Sequence, residues 1–231
     1  MQTLYSVAAI LAAYLIGSLS FAVIVSRAMG LADPRTFGSK NPGATNVLRS
    51  GSKKAAIVTL LLDAAKGWLP VVLIQWFGQP FGLAEGTMAL AGLAAFLGHL
   101  YPVFFRFVGG KGVATALGVL LGFSPVLGGL TMLVWIVVAV LFRYSSLASL
   151  CAALAAPAIY VLSDGVLWIM RGPVVLAIMG MTLLLIYRHA ENIGRLAKGT
   201  ESKLGKKKDA PEKMPHHAHG HGHGHGHGHK H

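Results

Sequence analysis

Residues 113–142 read VATALGVLLGFSPVLGGLTMLVWIVVAVLF, thirty positions without a charge. A helix crosses the hydrocarbon core of a bilayer in about 20 apolar residues. Thirty is long for one upright helix and short for two. Gly122-Phe123-Ser124-Pro125, in the middle of the stretch, supplies a break, because Pro lacks an N–H and its ring clashes with the preceding turn. We read a short span over 112–122 and a full span over 125–142. The first of these has eleven residues. It would rise only about 16 Å, so it must cross partway or be packed inside a bundle. One tilted helix over the whole stretch is the alternative.

The charges outside the stretch separate the two readings. Further apolar runs cover about 4–29, 55–77, 86–105, 146–162 and 174–187. With seven spans, the cations of loop 30–54, loop 106–112, Arg143 and the tail share one side, and the other keeps only Arg171. With six spans the basic tail changes sides. Lys and Arg gather in cytoplasmic loops, which favours seven spans with the N-terminus outside and the C-terminus cytoplasmic. No basic residue precedes the first apolar run, and Arg27 follows it, which reads as a retained span rather than a cleaved signal.

Composition agrees. Apolar residues make up 54% of the 231, and charged residues 12%, about half the share of a soluble domain. The expected fold is an all-α integral membrane protein with no soluble domain beside it. The formal net charge of +12 would suggest nucleic acid on a soluble chain. Here it reads as positive-inside loops, with no nucleic-acid partner. The lone Cys151 lies in an apolar run and cannot form an internal disulfide. Residues 1–205 are read as one membrane-embedded domain. Residues 206–231 form a basic, His/Gly-rich tail expected to be disordered, either an affinity tag or a natural accessory segment. Its imidazoles suit Ni²⁺ or Zn²⁺, but the tail is set apart from the fold and the chemistry.

Three polar segments fall on the basic side. The first runs from Phe37-Gly38-Ser39-Lys40-Asn41-Pro42-Gly43-Ala44-Thr45-Asn46 to Arg49. Its glycines let backbone approach a ligand, and successive N–H groups can cup an anion. An ordinary loop capping the next span is the plain alternative. The second is Gly98-His99-Leu100-Tyr101-Pro102 followed by Gly109-Gly110-Lys111-Gly112. A Gly-Gly-Lys-Gly turn opening a helix offers free N–H donors, partial positive charge and a full cation to phosphate, or is simply a tight connection between helices. It departs from the P-loop pattern, since Gly112 follows Lys111 and Arg106 stands where that motif has Gly. His99, about two turns inside its span, is a functional candidate or a satisfied structural histidine. Asp63 and Lys66, near the start of the second span, can pair at i, i+3 and read as structural. The third segment, Glu191-Asn192 through Lys203, carries Arg195 and Lys203 as phosphate candidates on a short interfacial helix within 188–205, and by composition alone a solvated amphipathic helix is the better reading.

Together these segments resemble the three signature motifs of the bacterial acyl-phosphate:glycerol-3-phosphate acyltransferases, the PlsY family. The likeness rests on Gly17-Ser18, on Gly38-Ser39 through Arg49, on His99 with Pro102 and residues 109–114, and on Glu191-Asn192 through Gly205. It covers about 5–205 in order. Lys40 stands where a small residue is expected, and the His/Gly tail has no counterpart.

The resemblance implies transfer of a fatty acyl group from acyl-phosphate to the 1-hydroxyl of glycerol 3-phosphate, giving lysophosphatidate and phosphate. It implies no cofactor and no metal, and a monomer in the bacterial inner membrane. The site would face the cytoplasm, in contact with membrane lipid and linked to the phosphate acyltransferase that makes acyl-phosphate. By this likeness Ser39, Arg49, His99, Asn192 and Glu201 are catalytic candidates. Asn41, Gly43, Thr45, Asn46, Gly109, Gly110, Lys111, Gly112, Arg195 and Lys203 are substrate-binding candidates. Either His99 or the donor's own phosphate would take the hydroxyl proton. An acyl-CoA type His-x-x-x-x-Asp pair is absent, since Phe104 and Gly194 stand five residues after His99 and His189. A small-molecule transporter is the alternative from another class, although the polar clusters lie on one face rather than at mid-membrane.

Overall fold

The computed structural model describes residues 1–205, and the expectations for 206–231 lie outside the described residues. It contains ten α-helices and no β-strand among the described residues. In order they are α1 (Gln2–Gly17), α2 (Phe21–Ala28), α3 (Ala44–Leu48), α4 (Lys53–Phe77), α5 (Glu85–Leu100), α6 (Val113–Phe123), α7 (Pro125–Phe142), α8 (Ser145–Leu162), α9 (Gly172–Arg188) and α10 (Ala190–Ala197).

The break that decides the topology lies at Ser124. Helix α6 ends at Phe123, Ser124 is extended, and its Oγ accepts from the N–H of Leu127 at 3.4 Å while Pro125 occupies the first turn of α7. Serine capping and proline at N1 start a helix for the same reason, because both suit N–H groups that have no helical partner. The apolar pattern thus resolves into seven segments. Lys53–Phe77, Glu85–Phe105, Pro125–Phe142 and Ser145–Leu162 are each long and apolar enough to cross a bilayer. The first and last segments pass only as the bent pairs α1–α2 and α9–α10, with bends of 44° and 57°. Helix α6 is the short one.

Several expected boundaries change. The span at 4–29 is not one helix. It breaks over Ser18–Ser20, where Ser18 Oγ turns back to the Tyr14 carbonyl at 2.9 Å. His99 is not two turns inside its span but next to last in α5, because the helix stops at Leu100 ahead of Pro102. Asp63 and Lys66 lie near the middle of α4, which starts at Lys53. Loop 30–54 contains the one-turn helix α3, and the amphipathic helix expected within 188–205 occupies only Ala190–Ala197.

Packing is close because small residues meet backbone. A Cβ on Gly118 would fall 1.9 Å from the Ala64 carbonyl oxygen, and one on Gly67 would fall 2.2 Å from that of Thr115. Helices α4 and α6 therefore touch backbone to backbone, as small residues permit between spanning helices. Gly17 and Gly98 do the same for α1 and α5, against Ala95 and Tyr14. The outer surface is apolar: Leu162, Leu176 and Val140 are 82%, 73% and 71% exposed. On a soluble protein that would be an aggregation surface; on this bundle it is the lipid face.

One charged cluster is sealed inside. Lys66 Nζ lies 2.8 Å from Asp63 Oδ1 and donates to the Leu19 carbonyl at 2.6 Å. That carbonyl is freed by the break between α1 and α2. His99 Nδ1 approaches the same Asp63 oxygen at 3.6 Å. The two ends of the described residues lie at opposite ends of the bundle. Gln2 donates to the Gly82 carbonyl at one end, and the segment after α10 meets the α7–α8 junction at the other through Leu204 and Arg143.

Candidate active site

All three polar segments meet at the end of the bundle that carries the basic loops. In the first, Asn46 is the organiser. It is 2% exposed and donates through Nδ2 to the carbonyls of Pro34 (2.6 Å) and Phe37 (3.1 Å). Its Oδ1 accepts from the Ser39 N–H at 3.0 Å and from Arg49 Nη1 at 3.4 Å. The amide is fully used within the loop, so Asn46 shapes the site from behind rather than facing a ligand. Gly38 is required beside it: its φ is +60°, and a Cβ there would come 2.3 Å from Asn46 Oδ1. Lys40 adopts a left-handed φ of 54°, a conformation non-glycine residues enter at some cost.

The second segment is clamped by a residue that sequence reading passed over. The Arg188 guanidinium donates to the carbonyls of Gly109 (3.0 Å) and Gly110 (3.1 and 3.2 Å), and lies 5.7 Å above the Tyr101 ring. The Gly110 N–H donates to the His99 carbonyl at 3.1 Å. A Cβ on Gly110 would come 2.2 Å from His99 Nε2 and 2.8 Å from the Pro42 carbonyl. The turn is thus wedged between the first segment and α5, with His99 under it. The His99 ring sits between Asp63 and Gly110.

The third segment closes the site. Glu201 accepts from Asn192 Nδ2 (2.6 Å), Ser146 Oγ (2.7 Å) and Arg195 Nε (2.7 Å). Burial alone would raise its pKa, but the donors from Ser146, Arg195 and Asn192 outweigh burial and hold it below the usual carboxylate range. Glu201 is therefore an acceptor-only anchor. It fixes Asn192, whose Oδ1 in turn accepts from Lys111 Nζ, joining the second segment to the third. Burial, helped by the nearby Arg195 charge, lowers Lys111 to about 8. Lys203 lies 5.6 Å above the Tyr144 ring.

Two more contacts tie the first segment to the rest. Arg49 Nη2 donates to Ser202 Oγ at 2.9 Å, and Thr45 Oγ1 lies 3.4 Å from Ser145 Oγ. The junction of α7 and α8 is thus the floor on which the segments converge. Besides Arg188, sequence reading missed Ser145, Ser146, Ser202 and Tyr144. It also missed His189 in the kink between α9 and α10, whose Nδ1 donates to the Leu185 carbonyl at 2.8 Å. Only the position of Arg188-His189, directly after the last apolar run, could have drawn attention. Among the described residues no group of three or more His, Cys, Asp or Glu could hold a metal ion. The assembled end presents Arg49, Lys111, Arg195 and Lys203 around one buried carboxylate.

Residues 7–199 match the family model described as glycerol-3-phosphate acyltransferase. The chain belongs to that family. A glycerol-3-phosphate acyltransferase of Albidiferax ferrireducens is 70% identical over 207 residues, covering 90% of this chain and 92% of that one. One of Paraburkholderia phymatum is 61% identical over 204 residues, covering 88% and 95%. Two crystal structures of PlsY (YgiH), an integral membrane glycerol 3-phosphate acyltransferase, share the fold. Its glycerol 3-phosphate form superposes with a TM-score of 0.79 at 38% identity, over 87% of this chain and 96% of that one. Its lysophosphatidic acid form gives 0.78 at 37%, with the same coverage. The integral membrane, all-helical character read from the sequence is therefore that of the family.

Proposed function

We propose that residues 1–205 transfer a fatty acyl group from acyl-phosphate to the 1-hydroxyl of glycerol 3-phosphate, releasing lysophosphatidate and inorganic phosphate. Membership of the family carries the coarse activity, acylation of glycerol 3-phosphate. The observation that carries the finer reading is the convergence of three cation-bearing segments on one end of an apolar bundle. Both proposed substrates bear phosphate, and one bears a long chain. A basic rim beside a lipid-facing surface suits both at once.

Lys111, Arg195 and Lys203, with the backbone of Gly109, Gly110 and Gly112, would hold the acceptor's phosphate. Ser39, Asn41, Gly43, Thr45 and Arg49 would hold the donor's phosphate and carbonyl. Asn46, Asn192 and Glu201 would position these groups. Acyl-phosphate is already activated, since phosphate leaves readily, so no covalent nucleophile on the protein is needed. Holding two substrates in register can supply several kcal/mol, on the order of 7–11 at best. Arg49 and Ser39 would stabilise the oxyanion as the acceptor oxygen attacks the carbonyl. Of the two proton acceptors, the burial of His99 under Gly110 and against Asp63 favours the departing phosphate.

The basic end would face the cytoplasm of the bacterial inner membrane, by the preference of Lys and Arg for that side. The chain would work as a monomer on acyl-phosphate made by a phosphate acyltransferase. The test is phosphate release by purified protein given palmitoyl-phosphate and glycerol 3-phosphate in detergent. The expected result is release that requires both substrates, yields lysophosphatidate and fails with palmitoyl-CoA. Product from palmitoyl-CoA would overturn the donor. Activity only between sealed compartments would favour transport.

A further inference from the structure

We propose that the bundle carries a second anion site, for the phosphate head group of an anionic phospholipid, between the end of α2, the loop after it and the turn after α5. A cleft of about 350 Å³ there is lined by Val23, Arg27, Arg35, Phe104, Phe105 and Arg106. A smaller hollow of about 200 Å³ adjoins it, sharing Val23 and Arg27 and adding Leu31 and Asp33. None of these residues belongs to the active site.

The charge of the cleft is unbalanced. Three guanidinium groups face it against one carboxylate. Asp33 is bonded by Arg35 at 2.6, 2.9, 3.0 and 3.2 Å, with the Arg27 charge also acting on it from outside ion-pair distance, and Arg35 lies 6.0 Å above the Phe105 ring. This pair forms a fixed wall. Arg27 and Arg106 make no ion pair among the described residues. Two guanidinium groups that line one cleft without an ion pair match a phosphate, which each can grip with a two-pronged set of donors.

The fringe of the cleft points to a lipid rather than a soluble anion. Phe104 and Phe107 are each 58% exposed, Val108 51% and Ile24 on α2 39%. At the end of a membrane bundle such residues meet acyl chains, while the arginines reach the head-group layer. Basic pockets between spanning helices bind anionic head groups by this combination. The head group would sit beside both substrate-bearing loops without entering the site they form. Asn46 fastens the Pro34 carbonyl, beside Arg35, at 2.6 Å, and Arg106 lies three residues before Gly109.

The test uses the full chain purified in detergent and titrated with dioleoylphosphatidylglycerol, with dioleoylphosphatidylcholine as the neutral control. Arg27→Gln with Arg106→Gln is expected to weaken phosphatidylglycerol binding on the order of tenfold or more and to leave phosphatidylcholine binding unchanged. Lysine at both positions should restore part of the loss. Saturating glycerol 3-phosphate should leave the lipid affinity unchanged, because the active site is elsewhere. Unchanged phosphatidylglycerol affinity in the double variant would overturn the site. Displacement of the lipid by millimolar inorganic phosphate would overturn the lipid as occupant, and displacement by glycerol 3-phosphate would overturn the separateness. If the double variant loses its cooperative melt, Arg27→Gln and Arg106→Gln are compared singly by the same criteria.

Discussion

Asp63, midway along α4, and Glu201, beyond α10, are both nearly sealed, with side chains 3% and 7% exposed. Their surroundings differ in what they leave over. Lys66, itself 2% exposed, meets Asp63 at 2.8 Å and the Leu19 carbonyl at 2.6 Å, so its charge is answered inside the protein. Glu201 is reached by Ser146, Asn192 and Arg195, but Lys111 stops one step short, on the neutral oxygen of Asn192. The first cluster is closed and holds helices together. The second leaves a cation in place without an anion of its own, which is what the proposed phosphate site asks for.

The largest effect should come from opening the closed cluster. Asp63→Asn leaves Lys66 buried without its counter-charge and is expected to cost about 3–5 kcal/mol, with the pair Asp63→Leu and Lys66→Met recovering most of it. Thermal unfolding in detergent reads this, and a single variant that melts with the parent would show that the pair is not closed. At the open cluster, Lys111→Met should not lower the melt, since burial already disfavours the charged form in the folded protein. It should lower kcat/KM for glycerol 3-phosphate by about 2–3 kcal/mol, roughly 30- to 150-fold. An unchanged KM would remove Lys111 from the acceptor site.

pH sharpens the same contrast. Lys111 is lowered to about 8 from its ordinary 10.5. Between those values the unfolded chain binds more protons than the folded one, so this group makes stability rise with pH. Acceptor binding should run the other way, with KM for glycerol 3-phosphate climbing above about pH 8 as the cation is lost, while Lys111→Arg stays flat to higher pH. A wild-type KM constant from pH 7 to 9.5 would contradict the role. The smallest expected effect is at the rim, where Lys203→Met removes the contact with Tyr144 and should change kcat/KM by about 0.5–1 kcal/mol.

The sequence exposed what local chemistry signals and hid what distant partners supply. The start of α7 was legible because Ser124-Pro125 is a helix start in itself. The three site segments were legible because they are the polar interruptions of an apolar chain. The break at Ser18–Ser20 was not, since those residues sit in a run that reads as one span. It is held by Lys66, 47 positions away. Asn46 looked like a ligand-binding amide because nothing local shows that Pro34 and Phe37 claim its donors. Arg188 and Ser146 read as the edge of a span and the first turn of another. Their partners Gly109, Gly110 and Glu201 lie 55 to 79 positions off.

Helix α6 has a consequence for how the protein is made. Its eleven residues rise only about 16 Å, half the hydrocarbon thickness of about 30 Å. It cannot settle in a bilayer as an independent segment leaving the ribosome. Its backbone contact with α4, through Gly118 and Gly67, supplies the support that its length does not. The Gly-Gly-Lys-Gly turn at its head therefore depends on that packing for its position. Lengthening α6 at its N-terminal end with apolar residues should bring it nearer to a full span while pushing Lys111 away from Asn192, so membrane insertion and the proposed acceptor site set opposite demands on the length of this helix.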